Sequence, residues 1–372
     1  MLAAQQHLSA TRCHANSMML HPIQALRLCS ALWVVVYHAT HSPTAAPGNS
    51  LWHNFAALGY LGVDIFFVIS GYIMALNSHQ SPPGLRQSLS FLGLRLARIY
   101  SGWWPVFLLC CVLLGSTILQ SKDLLGSFLL YQLNFNVLVL PVTWTLTFEL
   151  YFYAIVACSL LLPMHMRTRA FGWIGLLLLA TNTWWVMHAR FEVENFHQTH
   201  YGMHLFLSPL CLEFVLGYQL QRLQPQLQRW LPTPAVVLMV FLCGTVLYFY
   251  AAYMAHKPSG LAGFFHGPER AVLGGCLAGS LLLIFLRLEK YLPRTPSLWG
   301  GNISYQIYLI HLPCIWLLDR FAIRTESHPP LIFIGAVLIT TIIISSIFHY
   351  CIEKPVYQYC KKSIVRFTKF QA

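Results

Sequence analysis

Ten times in 372 residues this chain runs through about twenty consecutive, mostly apolar positions, the length of helix needed to cross the hydrocarbon core of a bilayer. The runs lie near 23–41, 57–77, 103–121, 143–163, 170–189, 203–221, 234–254, 267–287, 301–319 and 331–350. Only 9% of the residues are charged against 57% hydrophobic, too little charge for a soluble chain of this length, so lipid is the solvent for most of it. The pattern predicts an all-α polytopic membrane protein of about ten transmembrane helices.

The net charge of +12 raises the question of nucleic acid, and the placement of the charges answers it. With the N-terminus inside, successive links alternate sides. Seventeen of the 23 basic residues then fall on the cytoplasmic side and six on the outer side, as positive-inside topology requires. Both termini are predicted to be cytoplasmic, and no nucleic-acid partner is implied. Residues 1–20 are polar and lack an apolar stretch with a small-residue cleavage site, so they read as a disordered leader rather than a signal peptide. Residues 21–354 read as a single membrane domain and 355–372 as a basic cytoplasmic tail. The segment "LLGSFLLYQLNFNVLVL" (124–140) breaks the alternation and reads as a re-entrant or interfacial helix on the outer face. The eleven cysteines never form CxxC and read as small apolar fillers.

With eleven acidic residues in the whole chain, each one inside a span is informative, because an ionisable group in hydrocarbon costs about 2.5–3.5 kcal/mol on insertion scales. The span candidates are Asp64, Glu149, Glu213 and Asp319, joined by His38 and His311. Glu213 has no partner legible in "LEFVLGYQL", and Asp319 stands beside Arg320 at an outer rim. Arg27 and His38 are eleven residues apart, three helical turns plus about 20°, so they share one face about 16 Å apart along the axis. His38, Asp64 and Glu149 come out at a common depth in the outer half. Arg95 and Arg98, three apart at the inner boundary, form with Arg27 a cationic vestibule suited to phosphate. His197, His200 and His204 in "HQTHYGMH" read as a polar outer rim; no metal site is predicted.

The order of motifs resembles the acyltransferase-3 family of integral membrane acyltransferases, which includes O-antigen and exopolysaccharide O-acetylases. Arg27 and His38 match the family's Arg-x10-His. "GVDIFFVISGY" carries Asp64, Ser70 and Gly71; "RLARIY" carries Arg95 and Arg98; "WTLTFELYFY" carries Trp144, Glu149 and Tyr153. "EFVLGYQL", "GNISYQIYLIH" with Ser304, Tyr305 and His311, and "YCIEKPVY" with Glu353 follow in order. A proline commonly close behind the arginine motif is here delayed to Pro105, with Ser101 in its place.

The resemblance implies transfer of an acyl group, usually acetyl, from cytoplasmic acetyl-CoA to a hydroxyl of an exopolysaccharide or lipid-linked oligosaccharide, in the bacterial cytoplasmic (inner) membrane. Membrane lipids and polysaccharide-assembly proteins are the implied company, and no metal is required. In that reading His38 is the general base, Glu149 or Asp64 orients it, and Arg27, Arg95, Arg98, Ser70 and Gly71 bind the donor. Trp144, Tyr153, Ser304, Tyr305 and His311 stabilise the oxyanion or position the acceptor. A transporter or flippase of an acylated or lipid-linked sugar is the rival reading, though the chain has no internal repeat to support it. A noncatalytic scaffold leaves the buried His38 and Glu149 unexplained.

Overall fold

A backbone in hydrocarbon has no water to bond, and a helix satisfies its own amides. The computed structural model describes residues 20–40, 55–134, 136–189, 205–255, 268–321 and 330–370, and among them there is no strand. The helices are α1 (Leu20–Thr40), α2 (Gly62–Gln80), α3 (Leu85–Leu119), α4 (Leu124–Leu129), α5 (Trp144–Ser159) and α6 (Met164–Ala189). They continue with α7 (Leu210–Trp230), α8 (Thr233–Ala255), α9 (Pro268–Arg287), α10 (Arg294–Phe321), α11 (Pro330–Phe348) and α12 (Lys354–Phe370). Each of the ten apolar runs overlaps a helix among the described residues. Among the described residues six helical stretches, built on α2, α3, α5, α8, α9 and α11, are long and apolar enough to cross a membrane.

Helix α1 packs along α10, and α2 along α7. The second contact is very close. A Cβ on Gly71 would overlap the Phe214 carbonyl, and one on Gly217 would overlap that of Val68, so a pair of glycines sets the approach of α2 and α7. Stacked rings fill the space beside them: Phe152 lies 3.9 Å from Phe214 and Phe171 3.8 Å from Tyr218, centroid to centroid.

Two arginines counted as topology anchors do more specific work. Arg167 is fully buried and donates to the carbonyls of Ser78, Ser81 (2.8 Å), Leu160 (3.4 Å) and Leu162 (3.1 Å), at the C-terminal ends of α2 and α5. Arg287 donates to the carbonyl of Leu231 at 2.5 Å, beside the end of α7. Terminal carbonyls lack an intrahelical donor and sit at the negative end of the helix dipole, so a guanidinium there satisfies both.

The segment 124–140 departs from expectation. Among the described residues of this segment only Leu124–Leu129 is helical; Leu130 turns into left-handed backbone (φ 58°), and the described residues after it form no further helix before Pro141. The Asp123 amide donates to Val137 O at 2.8 Å, while its carboxylate accepts from the Gly126 amide and Gln132 Nε2. Trp103 Nε1 donates to Ser127 O, fixing the loop to α3. A side-chain acceptor at Asp123 and an αL residue seven positions later end the helix after six residues, which hydropathy alone does not register. The C-terminal segment is likewise a helix, α12, packed on α3 with Ile364 against Gly93. The leader up to residue 19 and the histidines at 197, 200 and 204 lie outside the described residues.

Candidate active site

A cavity of about 130 Å³ opens among α1, α2, α3, α5 and α10. Arg27, Ser70, Arg95, Arg98, Glu149 and Tyr153 are on its wall, with Phe66, Thr145, Tyr305 and Tyr308. Arg95 and Arg98 reach it from one face of α3 because they are three residues apart. The Arg95 guanidinium lies over the rings of Phe91 (5.3 Å) and Tyr153 (5.8 Å), and Arg98 over Tyr305 at 5.7 Å. Arg27 donates to Gln24 Oε1 at 3.2 Å, and Tyr153 donates its hydroxyl to Glu149. Three guanidiniums against one carboxylate on the wall leave the cavity electropositive, a setting for an anionic ligand.

Behind Arg98 lies a feature that the sequence reading left without a role. Between α11 and α12 the chain makes a π-turn, His349–Glu353. It brings the buried Glu353 to Arg98 as an ion pair, and His349 Nδ1 lies 2.8 Å from the other carboxylate oxygen. The added residue per turn turns both side chains inward toward α3. Glu353 thus sets where one of the cavity's cations points.

His38 lies outside that wall and meets His311 of α10: His311 Nε2 is 3.2 Å from His38 Nδ1, with ring centroids 4.9 Å apart. Each Nδ1 also faces a helix carbonyl, Val34 O at 3.0 Å for His38 and Ile307 O at 3.2 Å for His311. A carbonyl only accepts, so each Nδ1 carries the proton. His38 Nδ1–H is then shared between Val34 O and the lone pair of His311, and Nε2 is the basic nitrogen of His38. The wall nearest this pair is aromatic. Tyr308 is 5.9 Å from His311 and 5.9 Å from Phe66, centroid to centroid, and both rings line the cavity.

The other candidates are dispersed. Asp64 is not joined to His38 and Glu149; it forms a fully buried ion pair with Arg270 of α9 (2.6 Å) and adjoins Glu213 of α7. A common depth was legible, but the azimuth of α2 turns Asp64 toward α7 and α9. Glu149 stays in the cavity, and it is the imidazole of His311 that lies within hydrogen-bond distance of His38. Gly71 is spent on the α2–α7 contact and is not on the cavity wall, whereas Ser70 is. Ser304 is buried and donates to Gly301 O, and Tyr305 donates to Ile99 O at 2.9 Å, so neither hydroxyl proton points to a reacting oxygen. Trp144 packs near Phe67 and Phe148, off the cavity wall. Thr145 and Tyr308, absent from the sequence-based set, bond each other at 3.0 Å on that wall.

Residues 21–350 match the family model described as an acyltransferase domain. The chain belongs to the acyltransferase-3 family. Among curated proteins, this acyltransferase-3 chain is similar to the exopolysaccharide production protein ExoZ of Rhizobium meliloti (strain 1021), 28% identical over 304 residues, which cover 78% of this chain and 87% of that one. No solved structure matches it. The family match spans the arginine cavity and the His38–His311 pair together, so both features belong to the acyltransferase domain.

Proposed function

We propose that the protein transfers an acyl group, acetyl by preference, from cytoplasmic acyl-CoA to a hydroxyl of an exopolysaccharide or other cell-surface glycan on the opposite side of the membrane. In this reading the chain makes ten spans, with both termini and the arginine cavity toward the cytoplasm of a bacterial inner membrane. The observation that carries it is the division of labour along α1: Arg27 on the wall of an electropositive cavity and, on the same helix, His38 beside His311. The phosphates of CoA suit the first, and deprotonation of an alcohol suits the second. The relative's name, an exopolysaccharide production protein, supports the acceptor class.

The pantetheine arm would enter beside Arg95 and Arg98, and the thioester would pass the ring pair Phe66 and Tyr308 toward His38. There His38 Nε2 takes the proton of the acceptor hydroxyl as its oxygen attacks the thioester carbonyl. The new C–O ester bond forms, the C–S bond breaks, and the proton held by His38 passes to the departing CoA sulfur. His311, accepting from His38 Nδ1–H, keeps the ring in the productive tautomer and steadies the imidazolium. Glu149 offsets part of the cationic charge in the donor cavity.

The test is acyl transfer by protein purified into lipid nanodiscs, followed as free thiol from acetyl-CoA and as acylated oligosaccharide by mass. His38→Ala is expected to lower the rate by about 10²–10⁴-fold at unchanged membrane abundance. A variant with the full rate would remove His38 as the base.

A further inference from the structure

Arg95 stands on the wall of two cavities. The second, about 510 Å³, opens at the same end of the bundle between the C-terminal end of α2, the first turns of α3, and α12. Its wall carries Asn77, Arg86, Gln87, Phe91, Arg95 and Tyr357. The junction is continuous through side chains: Arg95 lies over Phe91 in the outer chamber and over Tyr153 in the inner one. Arg98 in turn lies over Tyr305 of the inner cavity (5.7 Å) and Tyr357 of the outer one (6.0 Å).

We infer that this outer chamber is the subsite for the nucleotide end of the acyl-CoA donor, the adenosine with its 3′-phosphate and diphosphate. The inference deepens the donor reading above and rests on it. The inner cavity is the smaller of the two, about 130 Å³ against about 510 Å³, so the bulkier nucleotide end of the donor is assigned to the outer chamber and the slender pantetheine arm to the inner one. The outer chamber supplies what such a group asks for. Arg86 and Arg95 make no ion pair among the described residues, so their forked donors remain for phosphate oxygens. Gln87 is a carboxamide with donor and acceptor edges of the kind a purine presents, and Asn77, which donates from Nδ2 to Ile73 O at 2.9 Å, adds its Oδ1 as an acceptor. Phe91 and Tyr357 offer ring faces for the base. Arg95, at the neck, suits the diphosphate that joins the two halves of the donor. Arg86, nine residues earlier on α3 and about 13 Å away along its axis, suits the 3′-phosphate. An anionic lipid headgroup shares the phosphate chemistry but lacks a base and a pantetheine arm.

The test measures binding of CoA, 3′-dephospho-CoA and pantetheine to full-length protein in nanodiscs of zwitterionic phosphatidylcholine, with and without added phosphatidylglycerol. Arg86 is exposed at the start of α3, so Arg86→Gln leaves the fold intact. It is expected to weaken CoA by about tenfold, erase the preference for CoA over 3′-dephospho-CoA, and leave pantetheine unchanged. Tyr357→Ala is expected to weaken both nucleotides and spare pantetheine. If wild type binds CoA but both variants keep its affinities, the subsite assignment is overturned while the donor reading stands. Phosphatidylglycerol binding that Arg86→Gln abolishes, with CoA affinity unaffected by either the lipid or the substitution, would make the chamber a headgroup site and overturn the assignment too. A wild-type protein with no affinity for CoA overturns both the subsite and the donor.

Discussion

Two groups of charged side chains lie inside this helical bundle, and they are built to opposite specifications. The cavity among α1, α2, α3, α5 and α10 has three arginines and one carboxylate on its wall, with open space between them. The Arg270 group has two carboxyls, Asp64 and Glu213, around one guanidinium, and all three side chains are buried to within 2% of completely. A Cβ on Gly274 of α9 would overlap Asp64 Oδ1, so even the backbone of α9 is pressed against the pair. Charge in a low-dielectric interior has to be compensated where it sits or by something that enters. In the Arg270 group the guanidinium and the Asp64 carboxylate neutralise each other at 2.6 Å with Glu213 against them, tying α2, α7 and α9 together. The cavity carries surplus positive charge and the volume to admit an anion. The difference between the two is that surplus charge faces open space in the cavity, whereas in the Arg270 group the opposite charges are packed against one another.

The contrast is broken most severely at the closed group. Arg270→Gln strands two buried carboxyls and is expected to cost about 3–5 kcal/mol of stability, read from unfolding of the detergent-solubilised protein. Adding Asp64→Asn should recover a large part of that loss; a double variant no better than the single one would separate the two residues energetically. His311→Ala comes next. It removes a fully buried ring and is expected to lower stability modestly, to leave CoA affinity nearly unchanged and to lower the acyl-transfer rate per folded molecule on the order of 10²-fold, because His38 loses the partner that fixes its tautomer. Equal falls in rate and abundance would make His311 a packing residue. The smallest effect is expected at Arg98→Lys, which keeps the charge and loses the fork. The acyl-CoA concentration for half-maximal rate should rise by about threefold to tenfold with the melting temperature unmoved. An unaltered requirement would leave Arg98 as a partner of Glu353 alone.

Much of this was legible in the chain because it is local. The eleven-residue spacing of Arg27 and His38 fixes a shared face of α1, and three-residue spacing does the same for Arg95 and Arg98. The apolar runs located the helices. What failed was inference from depth. Asp64 and Glu149 were placed level with His38, but depth is one coordinate of three, and the azimuth of each helix depends on its neighbours. Glu213, for which no partner was legible, lies beside Asp64 and Arg270 of other helices, and Glu353, outside the predicted site, is brought to Arg98 by a π-turn. The loop after α4 was misread as helix because hydropathy reports where a segment is soluble and not how its amides are satisfied.

The sequence by itself determined that the chain is helical and suited to lipid, and that cations and a titratable ring share one helix face, since a helix repeats at a fixed 3.6 residues per turn. Only the tertiary structure decided that His311 touches His38, that Asp64 belongs to Arg270, and that Arg95 joins two chambers. Those pairings are set by how helices far apart in sequence rotate and approach to fill space, and the glycines at 71 and 217 matter to them as much as any charged residue.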